Sequence, residues 1–177
     1  MAAGAIFARL DARDRALFAR MSVTPGTSRL ARIAWTILTH LGGVVCSVVA
    51  AVFPLIAPGA AAHAAHAAHP ALTTLVVSHL IVQLVKRTVG RPRPSRVVGR
   101  DALVPEPDRF SFPSGHAAAS MSVAIVYAVA HPSLAWLLVP LAMLVGASRV
   151  CLGVHYPGDV LIGQLIAVVT AIPIVFG

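Results

Sequence analysis

A chain of 177 residues with 58% hydrophobic and 11% charged residues has a mean hydropathy of +0.84, outside the range of ordinary soluble domains. Composition therefore excludes a water-soluble globule and predicts an all-α bundle embedded in a membrane, with residues 1–177 forming a single domain. A formal net charge of +8 would suggest nucleic acid in a soluble protein, but here the cations stand beside apolar runs, so membrane lipids with anionic headgroups are the expected partners and nucleic acid is not.

Residues 1–30 read as an amphipathic N-terminal segment. Arg9, Asp11, Arg13, Asp14, Arg15 and Arg20 are spread among apolar residues, so no cleavable leader is evident. Ile6, Leu10, Leu17 and Phe18, set away from Arg13 and Arg20 on the helical wheel, predict a helix lying on the bilayer surface; a frayed charged tail is the alternative. Five apolar runs follow, roughly Ile33 to Ala57, Ala71 to Val85, Ala117 to Ala130, Leu134 to Ala147 and Val160 to Phe176, and each is read as a transmembrane helix. Several fall short of the roughly 20 residues a span needs, so flanking residues such as Phe112 to His116 are expected to lengthen the helices. Cys46 lies within the first run and Cys151 near the third polar cluster, neither with a second cysteine at metal-ligand spacing, and both are expected to be buried packing residues.

Between the first two runs, residues 57–70 carry His63, His66 and His69 in an alanine triplet repeat. A helix would align these imidazoles on one face, where weak metal binding is conceivable; a permissive loop or helix extension without function is the simpler reading. The longest polar stretch, Lys86 to Phe112, holds Pro92, Pro94, Pro105 and Pro107 and reads as an ordered loop. The next connection, His131 to Ser133, is so short that the runs on either side must pack as an antiparallel pair. With this topology Lys86, residues 113–116 and residues 148–159 all reach the same side of the membrane.

Those three stretches are polar clusters at apolar boundaries, and lone buried charges there would be costly unless they met in one site. In the first, Lys86, the only lysine of the chain, can end a helix while Pro92 and Pro94 hold Arg93 extended, so that a point charge and a planar fork approach one anion from two directions. A basic juxtamembrane anchor is the alternative, and Arg87 and Arg91 are read as lipid or loop contacts. In the second, Pro113-Ser114-Gly115-His116, Ser114 is a natural N-cap, and the first-turn N–H groups with the helix dipole form an anion site that Gly115 leaves open to close approach; a plain capped helix is the alternative. In the third, Asp159 follows His155 by four residues, so its carboxylate can fix the tautomer of the ring and leave the other nitrogen to attack, while Arg149 can clamp phosphate oxygens. A structural His–Asp pair capping a helix is the other reading.

Taken together, the clusters resemble the signature of the phosphatidic acid phosphatase type 2 superfamily: lysine, six residues, Arg-Pro; then Pro-Ser-Gly-His; then Ser-Arg, five residues, His, three residues, Asp. Each fixed position is met, by Lys86, Arg93, Pro94, Pro113, Ser114, Gly115, His116, Ser148, Arg149, His155 and Asp159, so that the resemblance covers residues 86–159. It implies that His155 attacks phosphorus to give a phosphohistidine with Asp159 orienting it, and that His116 protonates the leaving alkoxide. Lys86, Arg93, Arg149, Ser114 and the Gly115 N–H would hold the phosphate, with no metal and no cofactor. The implied substrate is a phosphorylated lipid of the phosphatidic acid, phosphatidylglycerophosphate, polyprenyl pyrophosphate or lipid A class. A phosphotransferase would use the same residues, whereas a non-catalytic anion-binding protein would need the cations but neither histidine. The resemblance also favours a multi-pass protein of the cell (inner) membrane with its site on the extracytoplasmic face, although the positive-inside rule, applied to arginines that all share one side, argues for the cytoplasmic face.

Overall fold

The computed structural model describes residues 2–24, 26–56, 62–98 and 101–177, without the side chains of 2–8 and 62–65. Eight α-helices are present among them: α1 (Ala2–Met21), α2 (Arg29–Leu41), α3 (Val44–Ile56), α4 (Ala62–Val89), α5 (Pro94–Val98), α6 (Gly115–Ala130), α7 (Ala135–Cys151) and α8 (Pro157–Phe176). The only β pairing among the described residues is an isolated antiparallel bridge between Pro92 and Phe110, which pins the polar loop across its own base.

α6 is the axis of the bundle and packs against α4, α7 and α8. Its sequence explains this place, because Ala117, Ala118, Ala119, Ala124 and Ala128 are all buried and allow neighbouring backbones to approach closely. Polar side chains then fasten the packed faces: Ser78 of α4 meets Ser122 of α6 at 2.8 Å, the Tyr127 hydroxyl donates to the Ala51 carbonyl of α3 at 2.8 Å, and Gln164 of α8 donates to the Ala142 carbonyl of α7 at 3.2 Å. Large apolar side chains such as Leu80, Leu84, Trp136, Leu161 and Phe176 point outward. That inside-out distribution suits a lipid solvent.

The apolar runs do not all become single straight helices. Residues His66–Val89, Pro132–Cys151 and Pro157–Phe176 are long and apolar enough to cross a membrane, whereas α2 and α3 qualify only together, as a pair bent by 57°. The break falls at Gly42-Gly43, a glycine pair that weakens helix continuity. Gly42 is also wedged against α6 and α7, where an added Cβ would lie 2.9 Å from the His116 carbonyl and 2.6 Å from Val145. α6 has 16 residues and rises about 24 Å, less than the roughly 30 Å hydrocarbon core. The expected lengthening by Phe112 to His116 is only partly realised, since Gly115 and His116 are helical but Phe112 to Ser114 are not. This shorter helix is wrapped by its neighbours, so it has little lipid of its own to match.

Two further expectations are corrected. The loop from Lys86 is shorter than its prolines suggested, because α4 runs on to Val89 and Pro94 opens the short helix α5, as proline at a first helical position allows. Cys46 is exposed on α3 rather than buried, whereas Cys151 is buried as expected. The alanine-histidine tract is the start of α4, with His66 and His69 exposed; the side chain of His63 lies outside the described residues.

Glycine also decides how closely α8 approaches α6. A Cβ on Gly163 would sit 2.5 Å from the Ser114 carbonyl, a backbone atom that cannot swing aside. Gly163→Ala is therefore expected to lower stability by about 1–3 kcal/mol, as overpacking does. The same change at Gly26, where the nearest atom would be 3.9 Å away, is the control. Heat unfolding of both variants in detergent checks the difference.

Candidate active site

Local chain direction brings the three polar clusters to one end of the bundle. Lys86 occupies the last turn of α4, Ser114 caps the start of α6 with its hydroxyl facing the Ala117 N–H at 3.5 Å, and Arg149 occupies the last turn of α7. After α7, Gly153 at φ +83° turns the chain in a conformation that favours glycine, and His155 follows with its N–H bonded to the Arg149 carbonyl at 3.2 Å. α8 then starts at Pro157, and the Ser114 N–H donates to the Asp159 carbonyl at 2.9 Å. The N-termini of α6 and α8 are thus tied by backbone, with Gly163 permitting the contact.

The cations are deeply buried: Lys86 is 4% exposed, Arg149 2% and Arg93 0%. Lys86 Nζ donates to Asp108 Oδ2 at 2.8 Å and to the Phe110 carbonyl at 3.2 Å. Arg93 donates through Nε to the Asp108 carbonyl at 2.6 Å, through Nη2 to Asp108 Oδ1 at 3.1 Å, and through Nη1 to the Val154 carbonyl at 2.9 Å. Asp108, in the loop before α6, therefore sits between the two cations. Burial would raise its pKa, but the hydrogen bond and charge of Lys86 outweigh burial and hold it below the usual carboxylate range, so it is an anion held by an anion site. Arg149 is held by one nitrogen, with Nη1 donating to Thr39 Oγ1 on α2, and its buried Nε and Nη2 have no acceptor among the described residues. Buried donors in that condition take an acceptor from water or from a bound anion.

The two histidines differ in setting. His155 is buried, with Nδ1 3.6 Å from Asp159 Oδ2 and Nε2 3.4 Å from Arg93 Nη1. Arginine can only donate, so Nε2 presents its lone pair and the proton belongs on Nδ1, toward the carboxylate. Burial pushes the His155 pKa down to about 4 despite the opposing pull of Asp159, which keeps the ring neutral at pH 7. Asp159 is wholly buried and is gripped from three sides: Oδ2 accepts the Tyr156 N–H at 2.8 Å and faces His155, and Oδ1 accepts Arg91 Nη1 at 2.6 Å. His116, in the first turn of α6, is partly exposed and lies within electrostatic range of Arg149, His155, Lys86 and Arg93. As first-turn residues, Gly115 and His116 have N–H groups without an intrahelical acceptor. Beyond Gly115 there is room, since its added Cβ would meet nothing nearer than Val82 at 3.9 Å.

All eight residues singled out by sequence, Lys86, Arg93, Ser114, Gly115, His116, Arg149, His155 and Asp159, lie at this one end of the bundle. Four others belong to the same network and were not singled out. Thr39 supports Arg149, Asp108 bridges Lys86 and Arg93, and Asp14 and Arg91 join in an ion pair at 2.7 Å beside Asp159. Arg91, expected to be a lipid or loop contact, is instead bound to three carboxylates, those of Asp11, Asp14 and Asp159. The charge of Asp108 and Arg91 within the polar loop was visible, but their partners were not.

This arrangement has relatives. The chain is 36% identical over 99 residues to an undecaprenyl-diphosphatase of Sulfolobus acidocaldarius, covering 52% of this chain and 48% of that protein. It is 39% identical over 89 residues to a decaprenylphosphoryl-5-phosphoribose phosphatase of Mycobacterium tuberculosis, covering 49% and 48%. The matches span less than half the length of these relatives. Among solved structures, LpxE of Aquifex aeolicus superposes with a TM-score of 0.73 at 25% identity, covering 89% of this chain and 92% of that one. A transmembrane PAP2 type phosphatidylglycerolphosphate phosphatase from Bacillus subtilis shares the fold, with a TM-score of 0.71 at 22% identity over 94% of this chain and 84% of that one. With its apolar helices and this fold, the chain is a multi-pass membrane protein. The family model described as the PAP2 superfamily matches residues 67–176, which include every residue of the three clusters and most of the bundle, and the chain belongs to that superfamily.

Proposed function

We propose that this chain is a membrane lipid phosphatase working through a phosphohistidine, with residues 1–177 acting as one unit. The observation that carries the reading is the setting of His155: its Nε2 lone pair faces Arg93 while Nδ1 faces the buried Asp159 carboxylate. A nucleophile is thereby oriented toward the place where cations would hold a phosphate.

In the first step His155 Nε2 donates its lone pair to phosphorus, the bond from phosphorus to the lipid oxygen breaks, and His116 transfers its proton to that oxygen. In the second, water attacks the phosphohistidine and gives a proton to His116, the N–P bond breaks, and inorganic phosphate leaves. Asp159 steadies the positive charge on the ring during both steps. Lys86, Arg93 and Arg149 take the phosphate oxygens, with Ser114 and the Gly115 N–H at the helix start completing the cradle. Fixed cations and dipoles already stabilise the developing charge, and the same cations repel a divalent metal ion, so the reaction is metal-independent and needs no cofactor. The names of the relatives favour a polyprenyl lipid, with a terminal diphosphate in one and a 5-phosphoribose in the other.

Phosphate release from a panel of polyprenyl diphosphate, phosphatidic acid, phosphatidylglycerophosphate and lipid A by the purified protein tests this reading, and product analysis separates hydrolysis from transfer to another acceptor. His155→Ala is expected to abolish turnover, and substantial residual activity overturns the assignment. His116→Ala is expected to cost about 10²–10⁴-fold with lipid phosphates and much less with an activated aryl phosphate, whose leaving group needs no proton.

Activity is further expected to survive EDTA and to be inhibited by vanadate, which resembles the five-coordinate phosphorus of the transition state. Loss in EDTA with recovery on adding a divalent ion contradicts a purely cationic cradle.

The site is proposed to face the extracytoplasmic side of the cell membrane. A single cysteine placed at the exposed Pro105, in a background with Cys46 and Cys151 replaced, is expected to react with an impermeant thiol reagent on intact cells. Labelling only after the membrane is opened reverses the orientation.

A further inference from the structure

We propose that Arg91 and Asp14 are positioning residues for the Asp159–His155 pair, so that the N-terminal helix α1 belongs to the catalytic apparatus. The inference rests on the assignment of His155 and Asp159 above. Asp159 has no exposure, and a buried carboxylate is retained only with a countercharge and a full set of donors. The neutral His155 does not supply that charge. Arg91 does, because its Nη1 lies 2.6 Å from Asp159 Oδ1, on the oxygen that does not face the histidine.

Arg91 is in turn held from α1. Its Nη1 is also 2.7 Å from Asp14 Oδ2, its Nη2 is 2.7 Å from Asp11 Oδ1, and its guanidinium lies 4.0 Å above the ring of Tyr156, the residue between His155 and Pro157. Phe18 of α1 meets the same ring edge-on, with centroids 5.4 Å apart. Asp14 makes a second contact, accepting the Gly158 N–H with Oδ1 at 2.7 Å, one residue before Asp159. Glycine eases that approach, for a Cβ at position 158 would lie 2.9 Å from Asp14 Oδ2 and push the carboxylate aside. The start of α8 and the cation beside Asp159 therefore share one aspartate of α1, with Asp11 holding the same cation. A helix merely docked for stability would need the Phe18 contact but not an aspartate shared between the Gly158 amide and the cation on Asp159.

The test uses Arg91→Gln, the near-isosteric Asp14→Asn and the double variant in the full chain, with heat unfolding run alongside. Arg91→Gln is expected to lower kcat by about ten- to a hundred-fold while KM, set by the untouched cradle, changes little. Asp14→Asn follows in the same direction with a smaller loss, and the double variant loses no more than Arg91→Gln, because the two act through one link. Removing the guanidinium also leaves Asp159 a fuller charge against the ring, so NMR titration of His155, assigned by comparison with His155→Ala, is expected to move to higher pH in Arg91→Gln, and to move in the opposite direction in Asp14→Asn, which keeps the guanidinium and removes an anion that offsets it. Unchanged kcat and an unchanged His155 titration, with only the unfolding temperature lowered, overturn the proposal. The titration reads the link without turnover: persistent activity in His155→Ala would sink the phosphohistidine, yet the Arg91-dependent titration would still establish the coupling.

Discussion

Repulsion among Lys86, Arg93 and Arg149 is the constraint on which this structure depends. Three cations with almost no exposure converge at the end of an apolar bundle, and each must be offset by something fixed. Lys86 and Arg93 share the Asp108 carboxylate and take carbonyls from Phe110, Asp108 and Val154. Arg149 is offset least, with one bond to Thr39. The site is thus assembled with unspent donor capacity on the α7 side, which is the condition for stabilising a multiply charged oxyanion without rearrangement.

Much of the surrounding architecture serves that convergence. The polar loop is bridged at its base by Pro92 and Phe110, which lie on either side of the point where Arg93 and Asp108 meet. α6 and α8 are fixed to each other by the bond from Ser114 to Asp159, at a distance only Gly163 permits. The kink at Gly42 sets α2 against the backbone of His116, and Thr39, three residues earlier, reaches Arg149.

The residues of the site were largely legible in the sequence because their spacing records chemistry: a lysine seven positions before an arginine framed by prolines, a cap before a glycine and a histidine, a histidine four before an aspartate. Their supports were not, since the partners are distant in the chain: Arg149 and Thr39 are 110 positions apart, and Arg91 and Asp14 are 77 apart. Nothing local in a basic loop distinguishes an arginine that meets lipid from one that meets a buried carboxylate. Hydropathy located the membrane helices but averaged over the glycine pair at the α2–α3 break, and it could not show that α6 is short because other helices surround it. The exposure of Cys46 escaped for the same reason, as every face of an apolar run looks alike until its neighbours are placed.

The position of Asp108 changes what it means for an anion to bind. Its carboxylate spans Lys86 and Arg93, yet its side chain is 34% exposed, so it sits on the solvent edge of the cradle. On the reading proposed above, a phosphate arriving there would exchange with a resident carboxylate. The two cations would then be compensated before and after the exchange, and the net gain on binding would be the difference between two anions rather than the full attraction of one. The same exchange run backwards would assist departure of inorganic phosphate, because the cations that would retain it are offered a tethered replacement. In such a cradle tight holding and rapid release would cease to be opposed, and turnover would be set in part by a residue that need never touch phosphorus.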